Sequence, residues 1–246
     1  MSRMILSVGM PRAGSGWYYN LTQDLVKANG GTSGREIRAN YPLKKLLTEV
    51  NCNLGTLSFY RLVPVLLPTM IEPQYVIKLH AERRPLADLL IAAGWIRPTY
   101  IYRDPRDALL SAYEYGRRMR EKELTNAFTP LTSIEQAIDF MAGYVRIAEG
   151  WLSSRKTLPV RYENLLGSYD REVERLVDFL QLELSADEIS PIADQYRPRQ
   201  NHYQQQGMHF VHGKTGRHRE HLNAQQLVRC DEKFGSFLRK YGYPES

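Results

Sequence analysis

Cysteine is scarce in this chain: its 246 residues include two, Cys52 and Cys230. They lie far apart and in no metal-ligand spacing. That excludes a disulfide framework and a zinc site built on paired thiolates, and it predicts a reduced, cytoplasmic protein. Long apolar runs are missing too. The longest candidate, Leu62 to Ile71, is broken by Pro64 and Pro68, far short of the ~20 residues that span a bilayer, so no membrane partner is expected. The opening MSRMILSVGMPR has too short an apolar stretch for a secretory signal and reads as a first strand. There is no internal repeat, no low-complexity linker and no basic tail. Basic residues cluster only briefly, as in Arg117-Arg118-Met119-Arg120, and aromatic residues do not interleave with them as in a nucleic-acid-binding motif. No metal is expected either: His202, His209, His212, His218 and His221 fit no zinc spacing.

What remains is ordinary globular composition, 43% hydrophobic and 24% charged, in a length that suits one domain spanning residues 1–246. The net charge of +6 favours an anionic ligand, although a merely basic, solvated surface carries the same signature.

Strand-like and helix-like segments alternate. Met4 to Gly9 is β-prone. Trp17 to Ala28 repeats apolar residues at Leu21, Leu25 and Ala28 and is stopped by Gly30-Gly31. Tyr75 to Leu79 and Thr99 to Tyr102 read as further strands. A helix from Leu86 to Ala93 separates them, with Pro85 at its start. Asp104 caps a helix reaching about Arg120, with Pro105 at its first position. Residues 121–132 read as a loop. Ser133 caps a helix to Leu152 whose core face is Ile134, Ile138, Met141, Val145 and Ala148. Thr157 to Tyr162 is a strand weakened by Pro159. Helices follow at Tyr169 to Leu180, Ala186 to Tyr196 and Ala224 to Tyr241, with 197–219 as a loop. Residues 35–72 hold one or two inserted helices. The pattern predicts an α/β fold: a single domain with a mostly parallel central sheet flanked by helices, phosphate-loop-like at its nucleotide end.

Three constellations carry chemistry. Pro11-Arg12-Ala13-Gly14-Ser15-Gly16-Trp17 follows the first strand. Its glycines let successive N–H groups turn toward an anion at the start of a helix, with Arg12 and Ser15 as extra donors. A plain strand-to-helix turn would look similar. It is not a Walker loop, because no Gly-Lys-Ser/Thr closes it. The second is Tyr102-Arg103-Asp104-Pro105-Arg106-Asp107 with Ser111 two turns into the helix. A strand-end Arg suits paired hydrogen bonds to phosphate, and an Arg–Asp helix cap is the blander alternative. In the third, Lys78-Leu79-His80, alternation puts Lys78 and His80 on one side, fit for general-base chemistry beside an anion or for mere surface residues.

Together these segments resemble the sulfotransferases that use 3'-phosphoadenosine 5'-phosphosulfate (PAPS). The glycine segment looks like that family's 5'-phosphosulfate loop, usually Pro-Lys-Ser-Gly-Thr-Thr-Trp. Arg103 with Ser111 resembles its 3'-phosphate motif, Lys78-Leu79-His80 its Lys-Thr-His, and Val160-Arg161-Tyr162-Glu163-Asn164-Leu165 its Arg-Tyr-Glu-Asp-Leu. The resemblance spans Met4 to about Leu222. It implies PAPS as cosubstrate with 3'-phosphoadenosine 5'-phosphate (PAP) as product, no metal, and His80 as general base. It implies Lys78 and Arg12 on the developing charge, with Arg12, Ala13, Gly14, Ser15 and Gly16 around the 5' end. Trp17 and Tyr162 are implied at the adenine, Arg103 and Ser111 at the 3'-phosphate, and Gly213 and Lys214 in the C-terminal segment. The chain departs from the family where Arg12 replaces Lys and Gly16 replaces a hydroxyl residue. Val211 and His212 also stand where two cations are usual, leaving Lys214 or Arg217 to substitute.

The expected acceptor is a small organic alcohol, phenol or amine, such as a secondary metabolite. Residues 35–72, 115–132 and 197–222 should form its pocket, through Tyr41, Phe59, Tyr60, Tyr115, Phe128, Tyr203 and Phe210. Glu114, Glu121 and Glu123 either meet a cationic acceptor or lie on a solvated face. The rival readings are a nucleotide kinase or other phosphate-loop NTPase, which needs the missing Lys and Ser/Thr, and a non-catalytic nucleotide- or nucleic-acid-binding module.

Overall fold

The computed structural model describes residues 4–198 and 215–244. Its centre is a sheet of four strands, all parallel, in the order β2-β1-β3-β4. Strand β1 (Met4–Gly9) lies between β2 (Tyr75–Leu79) and β3 (Ile96–Tyr102), and β4 (Leu158–Arg161) forms one edge. Strands β1 and β2 are buried at every position. This is what helices on both faces of a parallel sheet demand, and why these runs are mostly apolar rather than alternating, with Ser7 and Lys78 as buried polar exceptions.

After β1 come α1 (Ser15–Ala28), α2 (Gly34–Asn40) and α3 (Phe59–Leu66), the last running into a 3-10 turn at Leu67–Met70. Helix α4 (Pro85–Ala92) joins β2 to β3. Helices α5 (Pro105–Glu121) and α6 (Ile134–Leu152) pack on each other between β3 and β4. After β4 the chain forms α7 (Tyr162–Gly167), α8 (Tyr169–Leu180) and α9 (Ala186–Tyr196), then α10 (His218–His221) and α11 (Ala224–Lys240), which packs on α6.

The expected fold is the observed one, with local adjustments. Strand β3 begins three residues earlier than expected and contains Pro98. Pairing with β4 starts only at Thr99, so the missing N–H breaks no bond on that side. Pro159 is tolerated because β4 is an edge strand. Tyr162, expected in that strand, instead opens α7. The helix expected from Trp17 begins two residues sooner, at Ser15. Residues 35–72 hold α2 and α3, linked by turns. Two isolated parallel bridges, Thr32 to Tyr75 and Asn53 to Lys78, cover the outer edge of β2. Among the described residues, no helix is long and apolar enough to cross a membrane.

Candidate active site

The carboxyl ends of all four strands deliver residues to one cleft of about 700 Å³, where open α/β sheets collect ligands. At the end of β1 the chain turns sharply: Arg12 has φ 64° and Gly14 φ 79°. Gly14 needs its hydrogen side chain for a second reason. A Cβ there would lie 2.9 Å from Cδ2 of Tyr162, inside any real contact. Helix α1 begins at the next residue, so its first-turn N–H groups open toward the cleft from Ser15 and Gly16. Ala13 is fully buried and its N–H is spent on the Met10 carbonyl at 3.2 Å. It shapes the loop but does not line the cleft.

From β2 come Lys78 and His80. Lys78 is 5% exposed, and burial, reinforced by the nearby Arg12 charge, pulls its pKa down to about 8. Nδ1 of His80 lies 2.6 Å from the Gly9 carbonyl oxygen. A carbonyl only accepts, so Nδ1 carries the proton and Nε2 is the basic nitrogen. Burial first, then the Lys78 charge, pushes the His80 pKa down to about 3 against the opposing effect of the Gly9 bond. The ring is therefore neutral at physiological pH, more completely than an unperturbed histidine would be.

From the end of β3 comes Arg103, buried, with its guanidinium 4.5 Å above the Tyr162 ring and Nη2 3.6 Å from Asp107. Asp104 caps α5 by accepting from Arg106 N at 2.9 Å. It also holds the fully buried Arg106 side chain, whose Nη2 donates to the Pro244 carbonyl at 2.7 Å. The helix-capping Arg–Asp pair is thus Arg106–Asp104, leaving Arg103 directed at the cleft. Arg12 Nε donates to Ser111 Oγ at 3.2 Å, and its guanidinium rests 4.5 Å over Tyr115 and 5.8 Å from Phe128. Burial lowers its pKa to about 10, with Arg118 and Arg103 adding repulsion against the attraction of Tyr115.

The structure therefore gathers Arg12, Gly14, Ser15, Gly16, Trp17, Lys78, His80, Arg103, Ser111 and Tyr162 around one cleft. Trp17 reaches it from a packed position: its ring stacks on Tyr169 at 6.1 Å and Nε1 donates to the Tyr196 carbonyl at 2.8 Å. Gly213 and Lys214, with His202, His209, His212, Tyr203 and Phe210, lie outside the described residues. Of the aromatic residues expected in the acceptor pocket, Tyr115 and Phe128 line the cleft. Phe59 and Tyr60 are exposed on α3, and Tyr41 donates to Glu72. Glu121 pairs with Arg117 on an exposed face.

Sequence reasoning missed a wall. Phe140, Tyr144 and Ile147 on α6 line the cleft beside the expected core stripe. Their i, i+4, i+7 spacing made α6 apolar over a wider arc than a helix packed on one side needs, which was the available signal. It also missed Asp107, 2% exposed, which accepts from Gly216 N at 2.6 Å, His218 N at 3.0 Å and His218 Nδ1 at 2.9 Å. These bonds and Arg103 outweigh burial and hold its pKa near 2.

A cleft that joins a helix N-terminus to buried cations has the chemistry to hold a multiply charged anion. The sulfotransferase domain family model matches residues 2–242, and the chain belongs to that family. No curated protein matches the chain. Among solved structures, it is similar to retinol dehydratase in complex with androsterone and the inactive cofactor PAP. That match has 15% identity and a TM-score of 0.61, covering 96% of this chain and 80% of that one. Mouse sulfotransferase SULT7A1 complexed with PAP is similar at 14% identity and TM-score 0.59, covering 98% and 85%. A putative steroid sulphotransferase of Arabidopsis thaliana follows at 18% and 0.52, covering 99% and 79%. At these identities the structural likeness speaks for the fold.

Proposed function

We propose that the cleft binds PAPS and transfers its sulfuryl group to the hydroxyl, or amine, of a small organic acceptor. The observation that carries this is the convergence of Arg12, Lys78 and Arg103 with the α1 N-terminus, where burial makes the charged forms of Arg12 and Lys78 costly while leaving them protonated at neutral pH. Such a site gains most when an anion arrives. The residues fit the nucleotide at both ends: the first turn of α1 at one, and Arg103 with Ser111 at the other. The PAP held by two similar solved proteins supports that reading.

The nucleotide supplies an activated sulfuryl group on a phosphate leaving group. Transfer of this kind, like phosphoryl transfer, leaves the protein mainly alignment and charge stabilisation. Nε2 of His80 takes the proton of the acceptor hydroxyl, while Gly9 fixes the tautomer. Lys78 and Arg12 stabilise the charge developing on the leaving oxygen. N–H groups of Gly14, Ser15 and Gly16 hold the 5' end, and Tyr162 and Trp17 border the base. The aromatic wall of Tyr115, Phe128, Phe140 and Tyr144 favours an apolar acceptor, and the androsterone in retinol dehydratase is a compound of that kind.

The test is calorimetric binding of PAP against AMP, which lacks only the 3'-phosphate. PAP is expected to bind far more tightly, and Arg103→Ala to cost about 1.5–3 kcal/mol of that advantage, as for a charged hydrogen bond. Equal binding of both nucleotides would end the sulfotransferase reading of this cleft.

A further inference from the structure

The chain has Val211 and His212 where its family resemblance leads one to expect two cations facing the 3'-phosphate. The structure offers a replacement from a different position. Arg217 lines the same cleft as Arg103 and Ser111. Its backbone is pinned on both sides, because Gly216 N and His218 N both donate to the buried carboxylate of Asp107, and the His218 ring adds a third bond. The side chain then runs to Glu114, where Nη2 and Nη1 meet the carboxylate oxygens at 2.5 and 3.0 Å.

Asp107, Ser111 and Glu114 occupy one face of α5 at i, i+4 and i+7, and the two ends of that stretch are roughly 10 Å apart along the axis. An arginine anchored at Asp107 and ending at Glu114 must cross the turn that carries Ser111. Asp107 also pairs with Arg103. One carboxylate therefore sets both the strand-end arginine and the C-terminal segment.

We propose that Arg217 is the second cation of the 3'-phosphate subsite, delivered by the Asp107 clasp and shared between Glu114 and the ligand. The inference rests on the nucleotide reading above. A guanidinium can serve both partners, since five N–H donors exceed what one carboxylate takes. Asp107 is a positioning residue here, acting through Arg217 and Arg103. Glu114 holds Arg217 in the cleft when no nucleotide is present, and it opposes the dianion once bound.

The experiment measures PAP and AMP dissociation constants for the full chain and for Arg217→Ala, Arg217→Lys, Glu114→Gln, Lys214→Ala and Arg103→Ala. Arg217→Ala is expected to weaken PAP about 10- to 100-fold, the size of a charge-assisted hydrogen bond, with AMP changed less than about twofold. Arg217→Lys should recover part of the loss. Glu114→Gln should tighten PAP severalfold, whereas a purely structural ion pair predicts weakening. If Arg217→Ala leaves the PAP-to-AMP ratio intact while Arg103→Ala removes it, this inference is overturned and the nucleotide reading stands. The inference falls equally if Lys214→Ala carries the loss, or if Glu114→Gln weakens PAP. If neither arginine affects the ratio, the nucleotide reading itself has failed.

Discussion

Lys78 offers the most quantitative test of the site. Its ammonium ordinarily titrates at 10.5, and burial, aided by Arg12, brings it to about 8. Without ligand, the charge is present below pH 8 and lost above it. A phosphate anion beside the ammonium favours the charged form and raises the pKa again in the complex. Nucleotide binding above pH 8 must then take up a proton, and affinity must fall with pH. If the complex restores the ordinary value, about one free molecule in eleven is still charged at pH 9. The Kd for PAP then rises about tenfold from pH 7 to 9, or ~1.4 kcal/mol. Calorimetry in two buffers of different ionisation heat measures both the Kd and the proton uptake. Lys78→Met should flatten the profile. A wild-type Kd equal at pH 7 and 9, with no proton taken up, would refute the assignment of Lys78 to the anion.

His80, with a pKa near 3, should show no ring titration by carbon-13 NMR between pH 8 and 5; a midpoint near the ordinary ~6.5 would contradict its enclosed setting. His80→Ala should lower kcat about 10²- to 10⁴-fold with PAP binding nearly unchanged, the loss typical of a general base, and a comparable fall in affinity would instead mark His80 as a binding residue. Gly14→Ala should cost ~1–2 kcal/mol for a side chain in the left-handed region. It should also weaken PAP at least about tenfold by pushing Tyr162 from beneath Arg103; an unchanged Tm and Kd would show that the loop relaxes freely.

Strands β1 and β2 were legible because burial on both faces demands mostly apolar runs, and α5 because Asp104-Pro105 is a strong start signal. The short motifs were legible because glycines and cations follow the strand ends in the sequence itself, where open α/β sheets collect ligands. Other features depend on distant partners. The resemblance put Tyr162 at the adenine, but nothing in the sequence put it beneath Arg103 or against Gly14, because β4 meets β3 only in the folded sheet. Asp107 stood in the Arg103 motif with no role of its own. Its role appears only when Gly216 and His218 arrive from more than a hundred residues away. Glu114, read as an acceptor contact or a solvated acid, is an ion-pair partner for the same reason. Phe59 and Tyr60 have suitable chemistry for a pocket, yet α3 turns them outward.

Because the loop after β1, Lys78 and His80 at the end of β2, Arg103 after β3 and Tyr162 after β4 come from four different strands, no fragment of the sheet gathers the proposed nucleotide site. Binding reports on the whole fold at once. A nucleotide at a hundred times its Kd should add about 2.7 kcal/mol to global stability. It should therefore slow amide exchange in all four strands together, making the ligand a clamp on folding cooperativity as well as a reactant.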